Sequence, residues 1–302
     1  MTIAITGGTG FVGQAVLDEA TGRGVPIKAL TRRDQADRAG VTWIKGDLSN
    51  ADALASIVRN VDAVIHIAGV VNAPDAAGFV EGNVTGTGNV VAAMQAQGVR
   101  RLVHVSSLAA REPGLSLYGK SKHGAEQVVE GSGLDWTIVR PPAVYGPRDT
   151  EILDVFRATK WGVVPMPPQG RASLIHVSDL ARLLLISAGT GADSQPPVLE
   201  PDDGRDGGWS HTEMAKAIGA AMGKRVWAPN VPRSVLMAAA KVDRLLRGAK
   251  AKLTPDRASY LAHRDWTSSA DKAVPANLWT PQVDTRQGLA ETARWYRQNG
   301  WI

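Results

Sequence analysis

Tyr118 and Lys122 stand four residues apart in Tyr118-Gly119-Lys120-Ser121-Lys122. On a helix that spacing places both side chains on one face. An ammonium beside a phenol favours the ionised phenol and draws its pKa toward the working range of a general acid or base. Taken alone, the pair also fits an ordinary helix face. Ser107, in Val105-Ser106-Ser107 at the end of a β-rich run, adds a hydroxyl able to orient the same substrate oxygen. Far upstream lies a second constellation, Thr6-Gly7-Gly8-Thr9-Gly10-Phe11-Val12-Gly13. Glycines allow a tight turn and let the backbone approach a pyrophosphate, and a following helix offers free N–H groups and the positive end of its dipole. Residues 8–13 fit G-x-G-x-x-G, while Gly7, Gly10 and Gly13 also fit a three-residue spacing; a plain glycine-rich β–α turn is the alternative. The two constellations together, in this order, point to a nicotinamide-dependent oxidoreductase.

The end of the second candidate strand bears on which cofactor. An acid there would bond the ribose 2′-OH and repel a 2′-phosphate, but the chain has Leu30-Thr31-Arg32-Arg33, and Asp34 comes late. Arg32 or Arg33 can pair with a phosphate, so NADP(H) is expected, with NAD(H) as the alternative if both arginines face solvent. Asp47, in Gly46-Asp47-Leu48, would accept from the adenine amino group or cap the next helix. Ala68 and Gly69, after His66-Ile67, are small enough to let the nicotinamide-side ribose pass. His66 reads as structural, since no metal-ligand partners sit at suitable spacing, and no metal is expected.

The elements that must position these groups are strands at Thr2–Thr6, Ile27–Thr31, Thr42–Lys45, Ala63–Ile67, Arg101–Val105 and Thr137–Arg140. They are short, continuous and rich in Val and Ile, as buried parallel strands are, with helical stretches between them. That alternation predicts an α/β fold, a doubly wound parallel sheet of βαβ units. After Pro147 the pattern loosens into helices separated by Pro- and Gly-rich loops. The expected division is a Rossmann core at 1–147, with parts of 170–200 returning to it, and a smaller, mostly helical substrate lobe at 148–302. With 302 residues, 44% of them hydrophobic, the chain can bury one large core or two unequal lobes. The absence of cysteine excludes disulfides, thiolate catalysis and Cys-based zinc sites. A strand from the N-terminus leaves no room for a signal peptide, no apolar run approaches a membrane span, and a cytoplasmic protein is expected. The formal charge of +5 does not imply nucleic-acid binding, although ten Lys/Arg stand against two Asp between Met222 and Arg264.

Thr6–Gly13, Asp47-Leu48, His66–Gly69, Asn83-Val84-Thr85-Gly86-Thr87, Ser106-Ser107, Tyr118–Lys122 and Arg140-Pro141-Pro142-Ala143-Val144-Tyr145-Gly146-Pro147 together resemble the extended short-chain dehydrogenase/reductases of the NAD-dependent epimerase/dehydratase superfamily. Gly288–Thr292 and Trp295–Arg297 resemble that family's last helix, so the likeness covers nearly the whole chain. The resemblance implies Tyr118 as acid/base, Lys122 as tyrosine activator and ribose ligand, and Ser107, rather than Ser106, as orienter. It implies a Rossmann-type fold and cofactor contacts from Gly7, Thr9, Gly10, Phe11, Val12, Gly13, Arg32, Arg33, Asp47, Leu48, Ala68, Gly69 and Lys122. Pro141 and Val144 belong to a segment resembling the one that lies against the nicotinamide.

Three features bear on the substrate. Gly170–Asp179 departs from the Arg-Asp-Phe-like segment of sugar-nucleotide members, leaving Arg171 as a phosphate ligand or a surface arginine. The NADP(H) preference argues against an epimerase. Arg233–Leu253 forms a basic amphipathic helix with Val235, Ala238, Ala239, Val242, Leu245, Leu246, Ala249 and Leu253 on one arc, and Leu236 and Met237 among the cations. Such a helix would lie on an anionic membrane, or pack its arc on the substrate lobe. The expectation is a ketone reductase or alcohol dehydrogenase acting on a hydrophobic, ceramide- or steroid-like lipid, as a monomer or homodimer. Its competitors are a nucleotide-sugar epimerase or dehydratase with bound NAD, and an NADPH-binding assembly protein like the accessory subunit of respiratory complex I.

Overall fold

The computed structural model describes residues 1–248, 251 and 253–302. They form two compact units, the first made of Met1–Pro141, Ser178–Pro201 and Ala270–Thr280, the second of Pro142–Val177, Asp202–Ser269 and Pro281–Ile302.

The first unit is built on strands β1 (Ile3–Thr6), β2 (Ile27–Thr31), β3 (Val41–Lys45), β4 (Ala63–His66), β5 (Arg101–Val105) and β6 (Asp135–Val139). Helices α1 (Phe11–Gly22), α2 (Ala51–Val58), α3 (Ala76–Phe79), α4 (Gly86–Ala96) and α5 (Leu117–Glu130) connect them. A π-helical segment, Val80–Thr85, joins α3 to α4. The sheet is parallel, with β3, β2 and β1 running out to one side and β4, β5 and β6 to the other, so its winding reverses between β1 and β4. Ligands of such sheets bind outside the strand ends at that reversal. The short strand Val198–Leu199 adds a seventh member beside β6. Strands β1, β2, β4 and β5 bury side chains on both faces, with Ala4, Val64 and Leu102 in one core cluster with Leu54, Ile57 and Met94 from α2 and α4, whereas β3, expected to be buried, lies at the sheet edge with no fully buried residue.

The sixth strand starts at Asp135, earlier than the sequence suggests, because the buried Arg101 on β5 holds its first residues. The Arg101 guanidinium donates to the Asp135 carboxylate at 3.2 Å and to the Thr137 hydroxyl at 2.8 Å.

In the second unit, β7 (Ala143–Tyr145) pairs in parallel with residues Leu174–His176. Helices α6 (Leu153–Ala158), α8 (His211–Ala221), which comes after α7 (Val177–Gly189) along the chain, and the last helix, Thr285–Gln298, surround a core of Tyr145, Phe156, Trp209, Ile218, Leu289 and Tyr296. The basic helix covers Arg233–Arg247 and not the full expected span. Gly248, at φ +55°, ends it. Leu253 lies beyond the helix end, and Ala249, Lys250 and Lys252 fall outside the described residues. Among the described residues, no helix is long and apolar enough to cross a membrane.

Candidate active site

The glycine loop between β1 and α1 is shaped by contacts that forbid a side chain. Gly7 has φ +77°, and a Cβ on it would lie 2.7 Å from the Ala68 nitrogen. A Cβ on Gly13 would lie 2.1 Å from the Gly7 carbonyl oxygen, so the first turn of α1 presses on the loop. Gly10 is the N-cap of α1 and no side chain caps that end. The first helical bond runs from Gln14 N to the Gly10 carbonyl, which leaves the amides of Phe11, Val12 and Gly13 outside the helical ladder. Thr9 and Gly10 are exposed and Phe11 and Val12 half-buried. An uncapped helix start behind a glycine-rich loop fits a pyrophosphate.

At the winding reversal, the Thr6 hydroxyl and His66 Nδ1 are 2.6 Å apart, and His66 Nε2 is 3.0 Å from the Thr87 hydroxyl. The buried ring is therefore occupied at both nitrogens. Burial, reinforced by the charge of Lys122, holds its pKa down to about 3, so it is neutral. Ala68 and Gly69 follow directly, and a Cβ on Gly69 would lie 2.7 Å from Asn83 Oδ1 and 3.9 Å from Lys122 Nζ. The glycine loop, the end of β4 and Lys122 thus form one continuous site.

Arg32 and Arg33 leave the end of β2 exposed. Thr31 stays local, its hydroxyl donating to the Arg33 carbonyl at 2.7 Å. Asp47 is exposed and accepts from the Ser49 amide and hydroxyl at 2.9 and 2.6 Å. Those bonds, with the Arg32 charge as a smaller influence, hold its carboxyl below the usual range. Asp47 does not cap α2; Asn50 does, accepting from the Ala53 amide. The Leu48 carbonyl accepts from the Asn89 side chain at 2.8 Å, and the Leu48 side chain packs at Gly86.

Lys122 is buried, and its ammonium donates to the Val105 carbonyl at 2.8 Å. Burial draws its pKa down to about 8, against the opposing charge of Glu126. Tyr118, one turn earlier and half-buried, has its ring centroid 6.4 Å from that of Phe79. Ser116 caps α5, accepting from the Gly119 amide, and a Cβ on Gly119 would lie 2.6 Å from the Ala109 carbonyl oxygen. That contact seats the start of α5 on the 3₁₀ turn Leu108–Arg111, which Ser107 caps by accepting from the Ala109 amide at 3.2 Å. Ser107 is half-buried, whereas the Ser106 hydroxyl is buried without a hydrogen-bond partner. Pro141 is buried and its carbonyl accepts from the Leu108 amide. Val144 is carried by β7 in the second unit.

Two sets of residues that sequence reasoning did not assign complete the frame of α5. Asn83, in the π-helical segment, donates to the Val70 carbonyl at 2.9 Å, accepts from the Val70 amide at 2.7 Å and donates to the Ser121 hydroxyl at 2.8 Å. Deeper, Arg140 grips the buried Glu126 carboxylate through two bonds of 2.9 and 2.7 Å. Arg140 also reaches Glu200 at 3.5 Å, and Arg111 meets the same Glu200 at 3.0 Å. The family signal for Asn83 was Asn83–Thr87, and for Arg140 the run Arg140–Pro147. In the second unit, Arg171 donates to the Gly207 and Gly208 carbonyls, so its guanidinium is engaged in the fold.

Comparisons with known proteins agree with this geometry. The family described as NAD(P)H-binding matches residues 7–187. A ceramide reductase of Caulobacter vibrioides is 35% identical over 99% of this chain and 96% of its own length. A 4-hydroxy-2-methyl-3-oxo-4-farnesyl-3,4-dihydroquinoline-1-oxide ketoreductase of Stigmatella aurantiaca is 28% identical over 96% of this chain and 95% of its own. Among solved structures, the UDP-N-acetylglucosamine 4-epimerase of Bacillus cereus shares the fold, with a TM-score of 0.72, 19% identity and coverage of 98% of this chain and 96% of that one. The chain therefore belongs to the NAD(P)H-binding family within the extended short-chain dehydrogenase/reductases of the NAD-dependent epimerase/dehydratase superfamily, and it is an NAD(P)-dependent oxidoreductase.

Proposed function

We propose that the protein is an NADP(H)-dependent ketone reductase whose substrate is a hydrophobic lipid of the ceramide class. The observation that carries this reading is the full-length likeness to a ceramide reductase, 35% over 99% of the chain. The arginine pair at the end of β2 supports the phosphorylated cofactor, because Arg32 and Arg33 are exposed where an acid would favour NAD(H). Gly7, Thr9, Gly10, Phe11, Val12 and Gly13 would hold the pyrophosphate, Asp47 and Leu48 the adenine end, and Ala68, Gly69, Lys122, Pro141 and Val144 the nicotinamide end. When bound, the nicotinamide supplies the hydride for a carbonyl carbon.

Within this reading Tyr118 gives its phenolic proton to the substrate oxygen. Lys122 keeps that proton transferable, its charge favouring the phenolate that remains. The Ser107 hydroxyl donates to the same oxygen and fixes its direction. Asn83 is a positioning residue, tying Ser121 of the catalytic helix to Val70. The reverse reaction oxidises the alcohol with Tyr118 as base.

The test is thermal shift with NADPH, NADP, NADH and NAD on the wild type and Arg32→Ala, followed by turnover of a ceramide-type ketone. The expected result is stabilisation by the phosphorylated cofactors alone, lost in the variant. Stabilisation by NAD(H) alone, with no ketone reduction, would replace this reading by the epimerase/dehydratase one.

A further inference from the structure

The basic helix Arg233–Arg247, α9 here, sits on its unit with the opposite face to the one its hydrophobicity suggests. Ala240 is fully buried and Leu236, Met237 and Asp243 are half-buried. Met237 faces Ser259 of the following helix, Pro255–Leu261, and Asp243 accepts from the Leu253 amide at 2.9 Å. Val235, Ala238, Ala239, Val242, Leu245 and Leu246 fall within an arc of about 120° at 3.6 residues per turn. All six are exposed, with Leu245 at 85% and Leu246 at 78%. The alternative in which this arc packs on the lobe is thereby corrected: the side chains on the face opposite it do the packing.

Of the cations, only Lys241 borders the arc, while Arg233, Arg244 and Arg247 lie on the opposite side of the helix, beside the packed residues. Arg233, Lys241, Arg244 and Arg247 are exposed, and the helix has a single acid, Asp243, which pairs with Arg247 at 3.2 Å. A second feature of the same unit repeats the combination. Residues Gly162–Met166 run beside Trp227–Val231, with Val163 opposite Trp227 and Met166 opposite Asn230. Val164, Met166 and Ala228 turn inward, while Val163 and Trp227 turn outward, Trp227 at 68% exposure. Trp161, at the start of this ladder, is 85% exposed. Lys160, Lys224 and Arg225 flank the two tryptophans and are exposed as well. The ladder leads through Pro232 directly into α9.

We propose that the second unit seats on an anionic lipid surface, with the outward arc of α9 entering the headgroup boundary and Trp161 and Trp227 as interfacial anchors. Exposed leucines on a helix that carries four exposed cations, with Lys160, Lys224 and Arg225 beside the tryptophans, match both parts of such a surface, hydrocarbon below and negative headgroups at its level. Tryptophan settles at that boundary because its ring is apolar and its N–H polar. A second copy of the chain is the poorer match. An isologous contact would bring two helices of four cations and one acid each against one another, like charge near like charge. The inference stands apart from the substrate assignment, since it concerns only the second unit's surface.

Co-sedimentation with vesicles tests it, using phosphatidylcholine alone and phosphatidylcholine containing phosphatidylglycerol. Wild type is expected on the anionic vesicles and in the supernatant with the neutral ones, with release by high salt. The double variant Leu245→Ser, Leu246→Ser is expected to lose roughly tenfold or more in partitioning, given the hydrocarbon it withdraws. Trp161→Ser with Trp227→Ser is expected to weaken it independently. NADPH-induced thermal stabilisation, read on the same preparations, should be equal for all, which separates loss of lipid binding from misfolding. Absence of wild-type binding to anionic vesicles would overturn the proposal, as would binding unchanged in both double variants. A dimer seen by light scattering and dissolved by Leu245→Ser, Leu246→Ser would overturn it in favour of self-association.

Discussion

The helices α5 and α9 invert one another. Helix α5 turns charge inward: Lys122 and Glu126 are both buried, four residues apart, within reach of the Val105 carbonyl and of Arg140. Helix α9 turns hydrocarbon outward, with Leu245 and Leu246 largely exposed. Burying a charge is costly unless it is paired and hydrogen-bonded, so α5 is tolerable only because specific partners surround it. Exposing a leucine costs far less, and a whole arc of them signals a surface that meets something. In both helices the residues that violate ordinary burial are those we connect with function.

The largest effect is expected at the residue of α5 that we propose as the acid. Tyr118→Phe removes one hydroxyl and keeps the ring against Phe79, so the fold and cofactor-induced thermal shift should persist. Turnover should fall roughly a hundred- to ten-thousandfold, the usual contribution of a positioned acid. A loss of less than tenfold in steady-state kcat would remove Tyr118 from that role, and α5 would then differ from α9 only in its packing.

Next comes the partner network. Glu126→Gln leaves the Arg140 guanidinium without its two-bond carboxylate in a largely buried place. Removing one member of such a pair costs about 3 kcal/mol or more, measurable by urea unfolding. The same variant sharpens the account of Lys122. Its pKa lies near 8 because burial lowers it, while Glu126 acts in the raising direction. Without that carboxylate the pKa drops further, so the alkaline limb of the kcat profile should move to lower pH. An unmoved limb would make Glu126 purely structural. Stability carries a different pH signature. The folded pKa is below the unfolded value of 10.5, so between about 8 and 10.5 the unfolded chain holds more protons. Stability from this group therefore rises with pH across that window and is least below it.

The contrast also marks what a sequence can reveal. Gly7 and Gly13 were legible because their constraint is local, a β–α turn in which a Cβ meets backbone two to three ångströms away. Tyr118 and Lys122 were legible because helical spacing determines their common face. Asp47 was half legible: it comes at the end of β3 as expected, yet its carboxylate is turned onto Ser49 by the short-range bonding that aspartate favours. Arg111, Glu126, Arg140 and Glu200 form one network from residues far apart along the chain, and no local pattern announces it. Asn83 acts through a π-helical segment whose partner, Val70, is identified only by tertiary structure. For α9, periodicity located the apolar arc correctly; the choice of inner face rested on Leu236, Met237 and Ala240 finding a surface to meet, which lies outside the helix.

The smallest expected effect is the one that tests the inversion on the α9 side. If the outward arc contributes nothing to the core, Leu245→Ser and Leu246→Ser should each change unfolding free energy by no more than about 0.5 kcal/mol. Leu54→Ala, in the core cluster of the sheet unit at 1% exposure, should cost about 2–5 kcal/mol under the same conditions. Equilibrium urea denaturation of the three variants decides it. A serine variant in α9 costing as much as Leu54→Ala would mean that these leucines are held against protein, and the lipid-facing role would fall with them. Near-neutral serines beside a costly Leu54→Ala would leave the arc as surface kept apolar for a reason other than stability.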